Sequence, residues 1–237
     1  MDERLKDIMD NFEKLKIGVD EPFKFHCTMC GKCCSHREDI LLNTKDVYNI
    51  SKELGLSPQE MIEQYGDVYI GGDSRMPIVR LKPRGSVQRC PLLKNHKCSV
   101  HNNAKPTVCA LFPIGRCLKM DEKEVKDITT DDILYIFQNP GCGDEGESHT
   151  AREWLESFGI PVADEFFISW QKVVMELCMI FCKAEKMISP NTMLMVWQSA
   201  FVGLYLHYDM AADFMPQFTE NAKKVLETMH TAFEGRL

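Results

Sequence analysis

The chain has 237 residues, 44% of them apolar and 27% charged, with a formal charge of −7. That length suffices for one large domain or two small ones, and the apolar fraction excludes disordered, collagen-like and low-complexity classes. The overall negative charge speaks against a general nucleic-acid binder.

The amino terminus, Met1-Asp2-Glu3-Arg4-Leu5-Lys6-Asp7, has neither the basic nor the apolar region of a signal peptide. The longest apolar stretch, Leu194 to Leu206, is interrupted by Gln198 and Ser199 and falls short of the roughly twenty residues of a membrane span. A soluble, cytoplasmic protein without membrane association is expected. In a reducing compartment its eleven cysteines read as metal ligands or free thiols, not as a disulfide framework.

In chain order, Leu5, Ile8, Met9, Phe12 and Leu15 have helical spacing, predicting a helix over 2–17 that ends before Gly18. Four thiols follow within eight residues, Cys27, Cys30, Cys33 and Cys34, with Gly31 among them to turn the backbone through positive φ. Thr44 is the expected N-cap of a helix ending at Gly55. Ser57, Pro58 and Glu60 have the capping-box pattern of a second helix, running to about Tyr65. Residues 76–82 and 86–89 alternate around Pro83-Arg84-Gly85 and predict a β-hairpin delivering Cys90. Cys98 comes next, then Cys109 between Pro106 and Pro113, two prolines that restrict the backbone on either side of it. Two strands, 114–120 and 133–137, precede the turn Asn139-Pro140-Gly141-Cys142-Gly143. From Thr150 onward the pattern is helical: a cap and helix to Phe158, a longer helix from Pro161 to about Met187, and helices near 192–208 and 216–232. Methionines and aromatics at helical spacing read as core there, and so do Cys178 and Cys182, four apart on one face.

The pattern thus predicts an α+β, mostly α fold. A loop-rich cysteine-cluster region with short strands occupies 1–148, and a helical region, 149–237, packs against it. No long period recurs, and the phosphate-loop, dinucleotide, nucleophile-elbow and HExxH motifs are absent from the sequence.

The metal-ligand candidates are Cys27, Cys30, Cys33, Cys34, Cys90, Cys98, Cys109 and Cys142, with Cys117 competing for the last place. Eight thiolates suffice for two four-coordinate sites. Adjacent thiols at 33 and 34 point in different directions in extended backbone, which suits neighbouring metals or a cluster better than one tetrahedral zinc. Thiolate-rich sites favour zinc, iron–sulfur and copper(I), and spacing does not choose among them. His26, His36, His96 and His101 lie near the thiols in sequence and read as second-sphere or surface groups. From Arg84 to Lys119 there are seven basic residues and no acidic one. Such a stretch can offset the roughly −2 charge of each thiolate-bound centre, and its rival role is to receive an anionic partner.

Cys27-x2-Cys30-Gly31-Lys32-Cys33-Cys34, then Cys90, Cys98 and Lys105-Pro106-x2-Cys109-x2-Phe112-Pro113, resemble the YkgJ-type cysteine-cluster family. The resemblance covers about residues 24–146, and Cys142 matches the late cysteine of longer members. The chain departs from the family pattern at Lys105, Ala110 and His101. Members are described as zinc- or iron-chelating proteins, and some as Fe–S oxidoreductases. The resemblance therefore implies an iron–sulfur cluster (4Fe–4S) or zinc as cofactor and metal ions as partners. Three functions follow as expectations: a redox or electron-transfer role with a protein redox partner, a structural zinc module for protein interaction, and, through the similar cluster of flagellin lysine methylases, a methyltransferase-related enzyme.

Overall fold

The structure, a computed structural model, describes residues 6, 8, 10–35, 40–95, 97–120 and 123–233. The fold is α+β with helix in the majority, 47% against 19% strand. Its strands form small antiparallel sheets.

The amino-terminal helix is helical at Phe12–Leu15 (α1) and gives way to strand β1, Lys16–Ile17, two residues before the expected end. Residues 2–5, 7 and 9 of the expected helix lie outside the described residues. β1 is held by a partner, pairing with β9, Ile133–Phe137, which in turn pairs with β8, Ile114–Leu118. The two strands expected at 114–120 and 133–137 are thus neighbours. β2, Pro22–His26, pairs with β10, Asp144–Thr150.

After the thiol run, β3 (Leu41–Leu42) leads into α2, Thr44–Leu54. Asn43, not Thr44, is the N-cap. Its side chain accepts from the Asp46 N–H at 2.8 Å while Asp46 reaches back to the Asn43 N–H, a reciprocal cap that leaves Thr44 as the first helical residue. The Ser57–Glu60 box starts α3, Pro58–Tyr65, at the expected position. The expected hairpin is corrected. β5, Pro77–Leu81, pairs with β4, Gly66–Ile70, and with β3. Residues 84–89 instead fold into a tight turn with only Arg84 and Arg89 paired, Gly85 and Gln88 both having positive φ.

Beyond Cys90, β6 (Leu93–Lys94) and β7 (Lys97–Cys98) form a two-residue hairpin, and α4 (Thr107–Leu111) is a single short helix. In the second half, α5 (Ala151–Glu156) starts from the Thr150 cap. α6 runs Glu165–Ala184, starting four residues later than expected because Asp164 supplies the cap, accepting from the Phe167 N–H at 3.0 Å. Ser189 caps α7, Pro190–Phe201, so Pro190 begins that helix at its first position as well as ending the previous segment. A π-turn, Val202–Leu206, and α8, Phe214–Phe233, are the last elements among the described residues.

Two apolar clusters form the core. The larger combines Val47, Ile50, Met61, Val79 and Leu92 with Leu177, Phe181 and Phe218 of the helical half. The smaller joins Phe23, Phe25 and Tyr135 to Trp154, Leu155 and Ile168. Each cluster draws on both sides of position 148, so the helices bury the first half as well as one another.

Candidate metal centre

Five separate pieces of backbone bring thiols to one place. β2 ends at His26 and hands the chain to Cys27. Because His26 is register partner of Asp144, the turn carrying Cys142 comes down beside it. Gly143 is required there: its φ is +70°, and a Cβ would meet the His26 carbonyl at 2.4 Å. Gly31, at φ +74°, turns the chain into a 3₁₀ helix, Lys32–Cys34. The Cys90 N–H donates to the Cys34 carbonyl at 2.8 Å, fixing the second thiol segment against the first. The β6–β7 hairpin presents Cys98 opposite Leu93.

Cys109 rides on α4, one helical turn and not the proline-fixed loop the sequence suggested. That turn is tethered by Asp46, which is buried at 4% exposure. Its Oδ1 accepts from the Thr107 N–H at 2.8 Å and from the Thr107 hydroxyl at 2.6 Å. Burial raises the Asp46 carboxyl to about 6, against the lowering effect of those Thr107 and Asn43 hydrogen bonds.

The result is a cavity of about 270 Å³ lined by all eight candidate thiols: Cys27, Cys30, Cys33, Cys34, Cys90, Cys98, Cys109 and Cys142. Phe25 and Trp154 of the smaller core wall one side, and Ile40, Leu81 and Leu92 of the larger core the other. The cavity is the seam between the two cores. All eleven cysteines are free. Cys33 and Cys34 have their sulfurs 3.8 Å apart. Among the described residues, no three His, Cys, Asp or Glu side chains converge on a single ion-sized point.

The electrostatics divide the thiols by depth. At the surface, Cys27 and Cys30 are exposed. The Lys32 N–H, and less strongly the Gly143 N–H, donate to Cys30 and hold its thiol below the ordinary value. Deeper in, the hydrogen bond shared with Cys33, then burial and the neighbouring Cys33, Cys90 and Cys109, push the Cys34 thiol well up. Burial, followed by Cys90, does the same to Cys109. Burial raises Cys90, opposed by the Leu92 and Leu93 N–H groups that aim at its sulfur. Cys142 is raised by burial and then by Cys30, Cys33 and Cys27. Free thiols this crowded resist ionising together, whereas soft cations bound among them would remove the repulsion and displace the protons. The donor set fits such a cation.

Cys117 lies elsewhere, on β8 with its sulfur 3.7 Å from the Leu134 carbonyl. Cys178 and Cys182 are half-buried, not core as expected; the Cys178 thiol reaches out to the Asp73 carbonyl at 3.8 Å. His26 is engaged outside the cavity, its Nδ1 3.1 Å from Asp144. His101 lines the cavity, with burial and then Lys105 holding its imidazole below the ordinary value. His36 and His96 lie outside the described residues. Of the basic stretch, Lys97 and Lys105 line the cavity. Arg116 is instead buried against Asp164 at 2.7 Å. Sequence reasoning missed Asp46 and Trp154. Asn43-x-x-Asp46 was a visible box, but nothing local marked its reach to Thr107.

Residues 26–131 match the model of the CxxCxxCC family, "Putative zinc- or iron-chelating domain". No curated protein and no solved structure matches the chain. Among the described residues no helix is long and apolar enough to cross a membrane.

Proposed function

We propose that the chain, whose residues 26–131 match the model of a zinc- or iron-chelating domain, binds two iron–sulfur clusters through its eight cavity thiols and serves a cytoplasmic redox reaction. Cys27, Cys30, Cys33 and Cys142 would hold the outer cluster, and Cys34, Cys90, Cys98 and Cys109 the inner. The carrying observation is the cavity itself: eight thiols of one chain line a single space of about 270 Å³. Cys142 feels Cys30, Cys33 and Cys27, Cys34 feels Cys90 and Cys109, and Cys33 is felt on both sides, so it stands at the junction of the two quartets. Eight thiols spread around one space suit polynuclear centres. N–H groups directed at Cys30 and Cys90 are the kind that tune cluster potentials. Such clusters supply one-electron exchange, for which a protein redox partner is the natural counterpart.

One observation favours zinc. The 3.8 Å between the Cys33 and Cys34 sulfurs is the edge expected of a tetrahedron with Zn–S bonds of about 2.3 Å. Anaerobic purification with metal and sulfide analysis separates the readings. A brown protein with about eight irons and acid-labile sulfide per chain is expected. A colourless protein with stoichiometric zinc overturns the iron–sulfur assignment in favour of a structural module.

A further inference from the structure

A second, smaller cavity of about 100 Å³ adjoins the thiols, and His101, Asn102 and Lys105 line both. We propose that this pocket binds an oxyanion, phosphate or carboxylate, at one end of a small molecule whose other end enters the thiol cavity. The anion site stands on its own geometry. Only the assignment of that molecule as the substrate of the thiol-bound centre rests on the function proposed above.

Two ammonium groups line the pocket without a carboxylate partner among the described residues. Lys105 has its Nζ 4.3 Å from the centroid of Phe158, and Lys45 its Nζ 5.3 Å from that of Phe166. Rings can hold a cation in place without neutralising it, so both charges stay available to a ligand. Asp46 and Asp164, the acidic residues lining the pocket, are committed elsewhere. Asp46 accepts from Thr107 and Asn43, and Asp164 from Arg116 and the Phe167 N–H. Counting Arg116, three cations stand against two carboxylates. Asn49 and Asn102 add amide donors to the lining. Partly buried between α2, α4 and the segment before α6, the site strengthens a charge-assisted hydrogen bond relative to open solvent.

The volume admits a single oxyanion group with little else, so the remainder of a ligand has to extend past His101 and Asn102 into the thiol cavity. His101 stands where the two spaces meet and offers a ring nitrogen for a hydrogen bond there.

Titration calorimetry of the full chain with inorganic phosphate and, separately, acetate at constant ionic strength tests the site. Saturable binding of either is expected, the tighter one identifying the group recognised. Lys105→Gln and Lys45→Gln should each weaken it by about tenfold or more, the scale of a lost charge-assisted contact. Lys52→Gln, on α2 but outside the pocket, should leave it unchanged. As a check independent of any variant's folding, the preferred anion should raise the wild-type melting temperature above that in chloride of equal ionic strength. No saturable binding, or equal weakening by Lys52→Gln, overturns the proposal. Metal content is read in parallel: iron that persists while anion binding is absent refutes the pocket alone, and anion binding in a protein without iron refutes the cluster alone.

Discussion

Asp46 offers the sharpest test of how the thiol cavity is held. Its carboxyl sits at about 6 instead of the ordinary 3.8 because burial outweighs its hydrogen bonds. A folded value above the unfolded one means the native state prefers the protonated form. The corresponding stability is complete below pH 3.8 and is lost as pH rises through about 6. The shift of about two units corresponds to about 3 kcal/mol in total, of which roughly half is lost between pH 5 and 7.5. Asp46→Asn removes the titration but keeps an oxygen for the two Thr107 donors. It leaves the Asn43 N–H facing an amide, a cost of about 1–3 kcal/mol. The two effects nearly cancel at pH 7.5, so the variant should be close to wild type there and less stable at pH 5. Urea denaturation of both proteins, prepared with the same metal content, measures the difference. Wild type minus variant should fall by about 1.5 kcal/mol from pH 5 to 7.5. A difference that stays flat, or that grows with pH, would refute the burial argument.

Gly143→Ala forces a Cβ into the His26 carbonyl at a φ of +70°. It should lower metal content and melting temperature together, as read by metal analysis and a thermal melt. Cys30→Ser should lose metal while Cys117→Ser and Cys178→Ser retain it, since neither lines the cavity; equal loss in all three would dissolve the ligand assignment. Leu177→Ala, at a site of 0% exposure in the larger core, should cost about 2–5 kcal/mol in urea unfolding and shows whether helical packing supports the first half.

What the sequence made legible was local. The Ser57–Glu60 box, the Thr150 cap and the paired strands around 121–132 are set by neighbouring residues, and the structure has them where the pattern placed them. Cysteine spacing pointed to thiol chemistry because core packing has no use for four thiols in eight residues. The pairing of β2 with β10 was not legible. Asp144-Glu145-Gly146-Glu147-Ser148 has no alternation, and it is strand only because β2 lies beside it. The hairpin around Pro83 failed for the reverse reason. Its alternating residues at 77–81 do form a strand, but the better partner was β4 on the other side. Asp46 looked like an ordinary cap residue, its tertiary contact lying sixty-one positions away.

The depth gradient gives the proposed chemistry a direction. Cys27 and Cys30 are exposed, and Met29 between them is 63% exposed, so the outer quartet reaches the surface. Cys90, Cys98 and Cys109 pack instead against the larger core, and His101 and Lys105 carry the cavity on into the oxyanion pocket. On the function proposed above, an external redox protein would reach Cys27 and Cys30, the exposed thiols, first. A small anionic molecule seated on Lys45 and Lys105 lies on the side of the inner quartet. On that reading Cys27, Cys30, Cys33 and Cys142 would hold the centre nearer a protein partner, and Cys34, Cys90, Cys98 and Cys109 the one nearer His101. The expectation that Cys33 and Cys34 point apart in extended backbone is overturned by the 3₁₀ turn, which brings their sulfurs to 3.8 Å and makes this pair the meeting point of the two quartets.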